Sequence, residues 1–102
     1  MKNLTLLVLA FAMLAAIIPV KITSVKQIEN SVVITGALDC NKYSQKSSIK
    51  TVGNMINVSI FAVDPSPYAE CGKPKPFTIG INPPQGTWRI YVNGKYYMTF
   101  RK

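Results

Sequence analysis

The sequence predicts an all-β domain built as a small two-sheet sandwich, and three observations carry that prediction. Apolar and polar residues alternate with period two on both sides of Asn93-Gly94, the strongest short-range hairpin signal. The same alternation flanks Gly53-Asn54. Between these hairpins, proline, glycine and asparagine break the chain at short intervals, and no helical apolar period follows the N-terminal leader. About seven strands over residues 20–102 fit an immunoglobulin-like β-sandwich. A small OB-like barrel is the alternative.

In chain order, residues 1–18 read as a secretory signal peptide. Lys2 is the short charged region, and Leu4 to Ile18 is apolar apart from Thr5, with Pro19 following. Cleavage fits after Ala15 or Ala16, or at Ala10-Phe11-Ala12 with a shorter apolar run. The run falls short of the roughly 20 residues of a membrane span, and an uncleaved anchor is the alternative. Lys21 to Ile28 is a polar edge strand whose lysines discourage pairing with other chains. Glu29-Asn30-Ser31 turns the chain. Ser31 to Leu38 follows as a strand with Val32, Ile34 and Leu38 on one face. Gly36 shares that face and marks a bulge or a close backbone approach. Asp39 to Gln45 is a polar loop holding Cys40.

Lys46 to Val52 and Met55 to Val63 form the first hairpin. Glycine first in a two-residue loop suits a type II′ turn. That register pairs Thr51 with Ile56 and Ile49 with Val58 on an apolar face, and Lys50 with Asn57 and Ser48 with Ser59 on a polar one. Asn57-Val58-Ser59 on the polar face matches a glycosylation acceptor. Asp64 to Pro76 is too rich in proline for regular structure. It reads as a crossover between sheets pinned by Cys71. Phe77, Ile79 and Ile81 alternate in a short strand before Pro83-Pro84 and Gly86.

The second hairpin runs from Trp88 to Arg101. A two-residue loop would put Trp88 and Phe100 on different faces. A three-residue loop, Val92-Asn93-Gly94, instead gathers Trp88, Ile90, Tyr96, Met98 and Phe100 on a buried face. It leaves Arg89, Tyr91, Lys95, Tyr97, Thr99 and Arg101 exposed. One buried face fixes register strongly, so the longer loop is expected. The stretch Pro83 to Gly94, Pro-Pro-x-Gly-Thr-aromatic-x-Ile-x-Val-Asn-Gly, resembles the penultimate strand and turn of small secreted prokaryotic immunoglobulin-like domains. An upstream cysteine pair often accompanies that pattern. The resemblance covers Asp39 to Phe100 and implies a fold and export, but no activity.

Composition narrows the function. Cys40 and Cys71 are the only cysteines and both lie beyond the leader, so a disulfide is expected. Two free buried thiols are the alternative. Histidine is absent, and the four acids Glu29, Asp39, Asp64 and Glu70 form no spaced cluster. The usual general base, the partner of a catalytic serine or cysteine, and the commonest metal ligand are therefore missing. This argues against an enzyme, a metal site or a cofactor. The net charge of +8 favours an anionic surface ligand such as a polysaccharide or lipid headgroups.

The first expectation is an exported, non-catalytic binding or structural module of the cell surface or periplasm. Its binding candidates are Arg89, Tyr91, Tyr97 and Arg101 on the hairpin, and Tyr68, Lys73 and Lys75 in the proline-rich loop, with a protein or an anionic surface as partner. Alternatives are a surface subunit that self-assembles by donating Lys21 to Ile28, and an inhibitor of a secreted hydrolase inserting the loop. Export argues against nucleic acid as partner. Membrane contact is expected only with an uncleaved N-terminal segment.

Overall fold

The computed structural model describes residues 17–66 and 68–102. The leader reading, up to residue 16, lies outside the described residues, as do its cleavage sites. Among the described residues there is no helix. The strands are β1 (Ile18–Pro19), β2 (Lys21–Ile28), β3 (Ser31–Leu38), β4 (Ser44–Val52), β5 (Met55–Val63), β6 (Lys75–Ile81), β7 (Thr87–Val92) and β8 (Lys95–Arg101). The strands form two sheets in a sandwich-like arrangement. One holds β4, β5, β7, β8 and β1, and the other runs β2-β3-β6.

The count is eight rather than about seven because Ile18–Pro19, at the end of the stretch read as leader, forms a short additional strand. Ile18 and Pro19 pair with Ala62 and Phe61 of β5, and after Val20 the chain crosses to pair Lys21 with Ala37 of β3. The larger sheet also departs from the antiparallel sheets of an immunoglobulin-type sandwich. β7 runs parallel to β5, from Met55 opposite Arg89 to Val58 opposite Val92. A parallel neighbour needs a crossover connection, and here the chain makes it through β6 in the other sheet.

The core lies between the sheets and is wholly apolar among the described residues. Val32, Ile34 and Leu38 of β3 cluster with Ile56, Val58, Ile60 and Ala62 of β5, and Ile90, Val92, Phe77, Ile81 and Phe100 complete the core. Alternation in β3 is complete, every second residue from Val32 to Leu38 being buried. Gly36 meets both sequence expectations. A Cβ there would collide with the Phe77 ring and the Lys21 carbonyl, and β2 bulges opposite it between Ile22 and Ser24.

The first hairpin has the expected register, with Ile49 opposite Val58 and Thr51 opposite Ile56. Gly53 has φ 58° and Asn54 is not in the left-handed region, as a type II′ turn requires. The second hairpin corrects the expectation. Val92 pairs with Lys95 across a two-residue loop, with Asn93 at φ 51° and Gly94 at φ 81°. Positive φ at both positions is the type I′ pattern, which matches strand twist. The extra residue sits further along, in β8. Tyr91 pairs with Tyr96 and Ile90 with Met98, so Tyr97 is a bulge. Beyond it Trp88 is opposite Phe100. The chain thus keeps both the favoured turn and a common face for Trp88 and Phe100.

Cys40 and Cys71 form a disulfide, with Cα atoms 5.2 Å apart. It closes the end of the β3–β6 pair, just past Leu38 opposite Lys75. In the chain-entropy model a 31-residue separation stabilises by roughly 3–4 kcal/mol, a large share for so small a core. Such a bond is consistent with an extracellular or periplasmic protein.

Candidate binding face

The outward side chains of the larger sheet follow from register. β4 contributes Lys46, Ser48 and Lys50, paired with Phe61, Ser59 and Asn57 of β5. β7 adds Arg89 and Tyr91, beside Met55 and Asn57. β8 adds Tyr96, Thr99 and Arg101, opposite Tyr91, Arg89 and Thr87. One row, Lys50, Asn57, Tyr91 and Tyr96, therefore crosses four strands. Three strand spacings make it about 14 Å long.

None of the chain's four acids lies in a strand. Glu29 is in the β2–β3 turn, while Asp39, Asp64 and Glu70 lie in loops near the disulfide. Asp64 is consumed locally. Its Oδ2 is 3.2 Å from Lys42 Nζ, and its Oδ1 accepts from the Ser66 amide. Lys42 also donates to the carbonyls of Ser66 and Ala69, so one ammonium pins the crossover loop. The face of Lys46, Lys50, Arg89 and Arg101 thus keeps its positive charge without neighbouring carboxylates.

The tyrosines are held in place. The Tyr91 and Tyr96 rings meet edge to face at 5.5 Å, and Tyr96 Oη is 2.7 Å from Thr99 Oγ1. Tyr96 and Thr99 share a face only because the bulge intervenes. Arg89 reaches Asn54 Oδ1 at 3.4 Å. The end of β7 is fixed by Asn93. Its amide donates to the Val58 carbonyl, and its Oδ1 accepts from the Ile60 amide at 2.8 Å, continuing the β5 ladder where β7 stops.

Of the sequence candidates, Arg89, Tyr91 and Arg101 come together on this face. Tyr97 does not. The bulge turns it toward the interior side, where it packs on the core and lies under Lys95 Nζ at 5.2 Å. Tyr96 takes its place. Lys46 and Lys50 join from the other hairpin, a contribution that local alternation could not reveal because it depends on the parallel β5–β7 pair. Tyr68, Lys73 and Lys75 are exposed, Tyr68 fully, but they belong to the disulfide-tethered crossover and its exit into β6. Lys21 to Ile28, the candidate donor strand, is paired with β3 over its length. Gln27 also ties it to the Arg101 carbonyl at 3.0 Å.

Comparison with models of protein families, with curated proteins and with solved structures finds no match. The class of molecule is therefore defined by the chain itself: a disulfide-bonded, two-sheet β domain with an acid-free basic and aromatic sheet face.

Proposed function

We propose that this protein is an exported, non-catalytic binding module of the cell surface or periplasm, on a scaffold of broadly immunoglobulin-like type. Its ligand is an acidic polysaccharide laid across the strands of the larger sheet. The reading rests on one observation, the row Lys50, Asn57, Tyr91 and Tyr96 with Arg89 beside it and no carboxylate among its neighbours. Lysine and arginine meet the carboxylates of the chain. Tyrosine rings offer flat apolar area to sugar rings at little entropic cost, and Asn57, Ser59 and Thr99 can exchange hydrogen bonds with hydroxyls. A row across strands suits an extended polymer. A lipid surface would instead select a continuous apolar face beneath its basic residues, whereas here Asn57, Ser59 and Thr99 stand among the charges.

Export is supported by the leader-like N-terminus and by the disulfide. Cleavage after Ala15 or Ala16 leaves Ile18 and Pro19 free to pair with β5. The absence of histidine and the dispersed acids support a non-catalytic role.

The test is alanine replacement of Tyr91 and Tyr96 together, with binding to polygalacturonate followed by calorimetry. The expected result is an affinity at least about tenfold weaker, as for truncated aromatic anchors, with little change in melting temperature. Undiminished binding, or a melting temperature that collapses, contradicts the assignment.

A further inference from the structure

The two sheets differ in width, and among the described residues the larger extends past the smaller by one strand. The Gln27 side chain donates to the Arg101 carbonyl, so β2 and β8 are neighbouring edges of the two sheets. The smaller sheet then spans three positions and ends at β6, which among the described residues pairs with β3 alone. The larger sheet continues one strand further, to β4. Burial records the step. Val58 is 1 % exposed on the inward side of β5, while Ile49, its partner on the inward side of β4, is 54 % exposed. Ser47 and Thr51 on the same side of β4 are exposed as well.

The edge that borders this step is also the least guarded of the four. β2 carries Lys21, Lys26 and a bulge, β8 carries Lys95, Arg101 and a bulge, and β4 carries Lys46 and Lys50. Charges, prolines and bulges are the usual protection of a free edge. β6 has Lys75 and Pro76 at its start, and then Phe77 to Ile81 without charge, proline or register shift.

We infer that β6 and the overhanging β4 form an acceptor for one extended segment of a partner polypeptide, which adds as a fourth strand to the smaller sheet. Main-chain hydrogen bonds to β6 would hold it. Alternate apolar side chains would cover Ile49 and Thr51 on the inward side of β4. A second copy offering its own β6 does not fit, because its β5 would fall where β4 already lies. The occupant is a strand without a sheet behind it. This inference is independent of the polysaccharide face, which lies on the opposite side of β4.

The experiment uses the oxidised protein and a synthetic peptide, Glu-Val-Thr-Val-Thr-Val-Glu, followed by backbone amide shifts and hydrogen exchange. The expected result is saturable shifts confined to β6 and the Ser47–Thr51 stretch of β4, with edge amides of Phe77 to Ile81 exchanging at least about tenfold more slowly. Ile49→Lys, at a half-exposed position, is expected to leave the melting temperature unchanged and to weaken peptide binding by a similar factor. Equal binding of a peptide of the same composition without alternation would overturn the inference. So would shifts confined to the Tyr91 and Tyr96 face. A concentration-dependent doubling of mass without peptide, abolished by Ile49→Lys, would give the edge to a second copy and overturn it too.

Discussion

The two hairpins carry similar sequence signals and meet different fates. Each has a two-residue turn and period-two strands. The β7–β8 hairpin is covered on its inward side, with Ile90 and Phe100 fully buried. The β4–β5 hairpin is covered along β5 and open along β4, where Ile49 is more than half exposed. Alternation determines which side chains share a face. Whether that face is buried depends on the width of the opposing sheet, a tertiary property.

This contrast can be broken at four points, from the largest effect to the smallest. Ile90→Ala removes a fully buried residue of the core between the sheets and should cost about 2–5 kcal/mol in urea unfolding. Asn93→Ala strips the acceptor from the Ile60 amide and puts a Cβ-bearing residue without a compensating side chain at φ 51°, so a loss of about 1–3 kcal/mol is expected. Gly53→Ala has open space for its Cβ but keeps φ 58°, which should cost about 1 kcal/mol. Ile49→Ala, chemically the same change as Ile90→Ala, should stay within about 0.5 kcal/mol of the parent. Equal losses at Ile49 and Ile90 would mean that β4 is covered in solution.

Much of the fold was legible from local pattern. The strand from Ser31 to Leu38, the register of the first hairpin and the disulfide needed only alternation, a turn residue and a cysteine count. The second hairpin was misread for a specific reason. Two local rules conflicted there: the preference of Asn-Gly for a type I′ turn, and the need to bury Trp88 beside Phe100. A bulge at Tyr97 reconciles them, and no residue type announces it. The same bulge exchanged Tyr97 for Tyr96 on the outer face. Lys46 and Lys50 joined that face through the parallel β5–β7 pair, which connects strands distant in sequence and leaves no periodic trace. The candidate site was therefore half visible. Its arginines and Tyr91 were read from the hairpin, while its lysines required the topology.

The most direct measurement of the account is the affinity for polygalacturonate of the parent and of Lys50→Glu/Arg89→Glu, each at low and high ionic strength. Both side chains are exposed, so the double variant should stay folded. The account predicts strong binding by the parent that weakens as salt screens the charges, and loss of most of that binding in the variant at low salt. Parent-like binding by the variant, or binding by the parent that ignores salt, would contradict it.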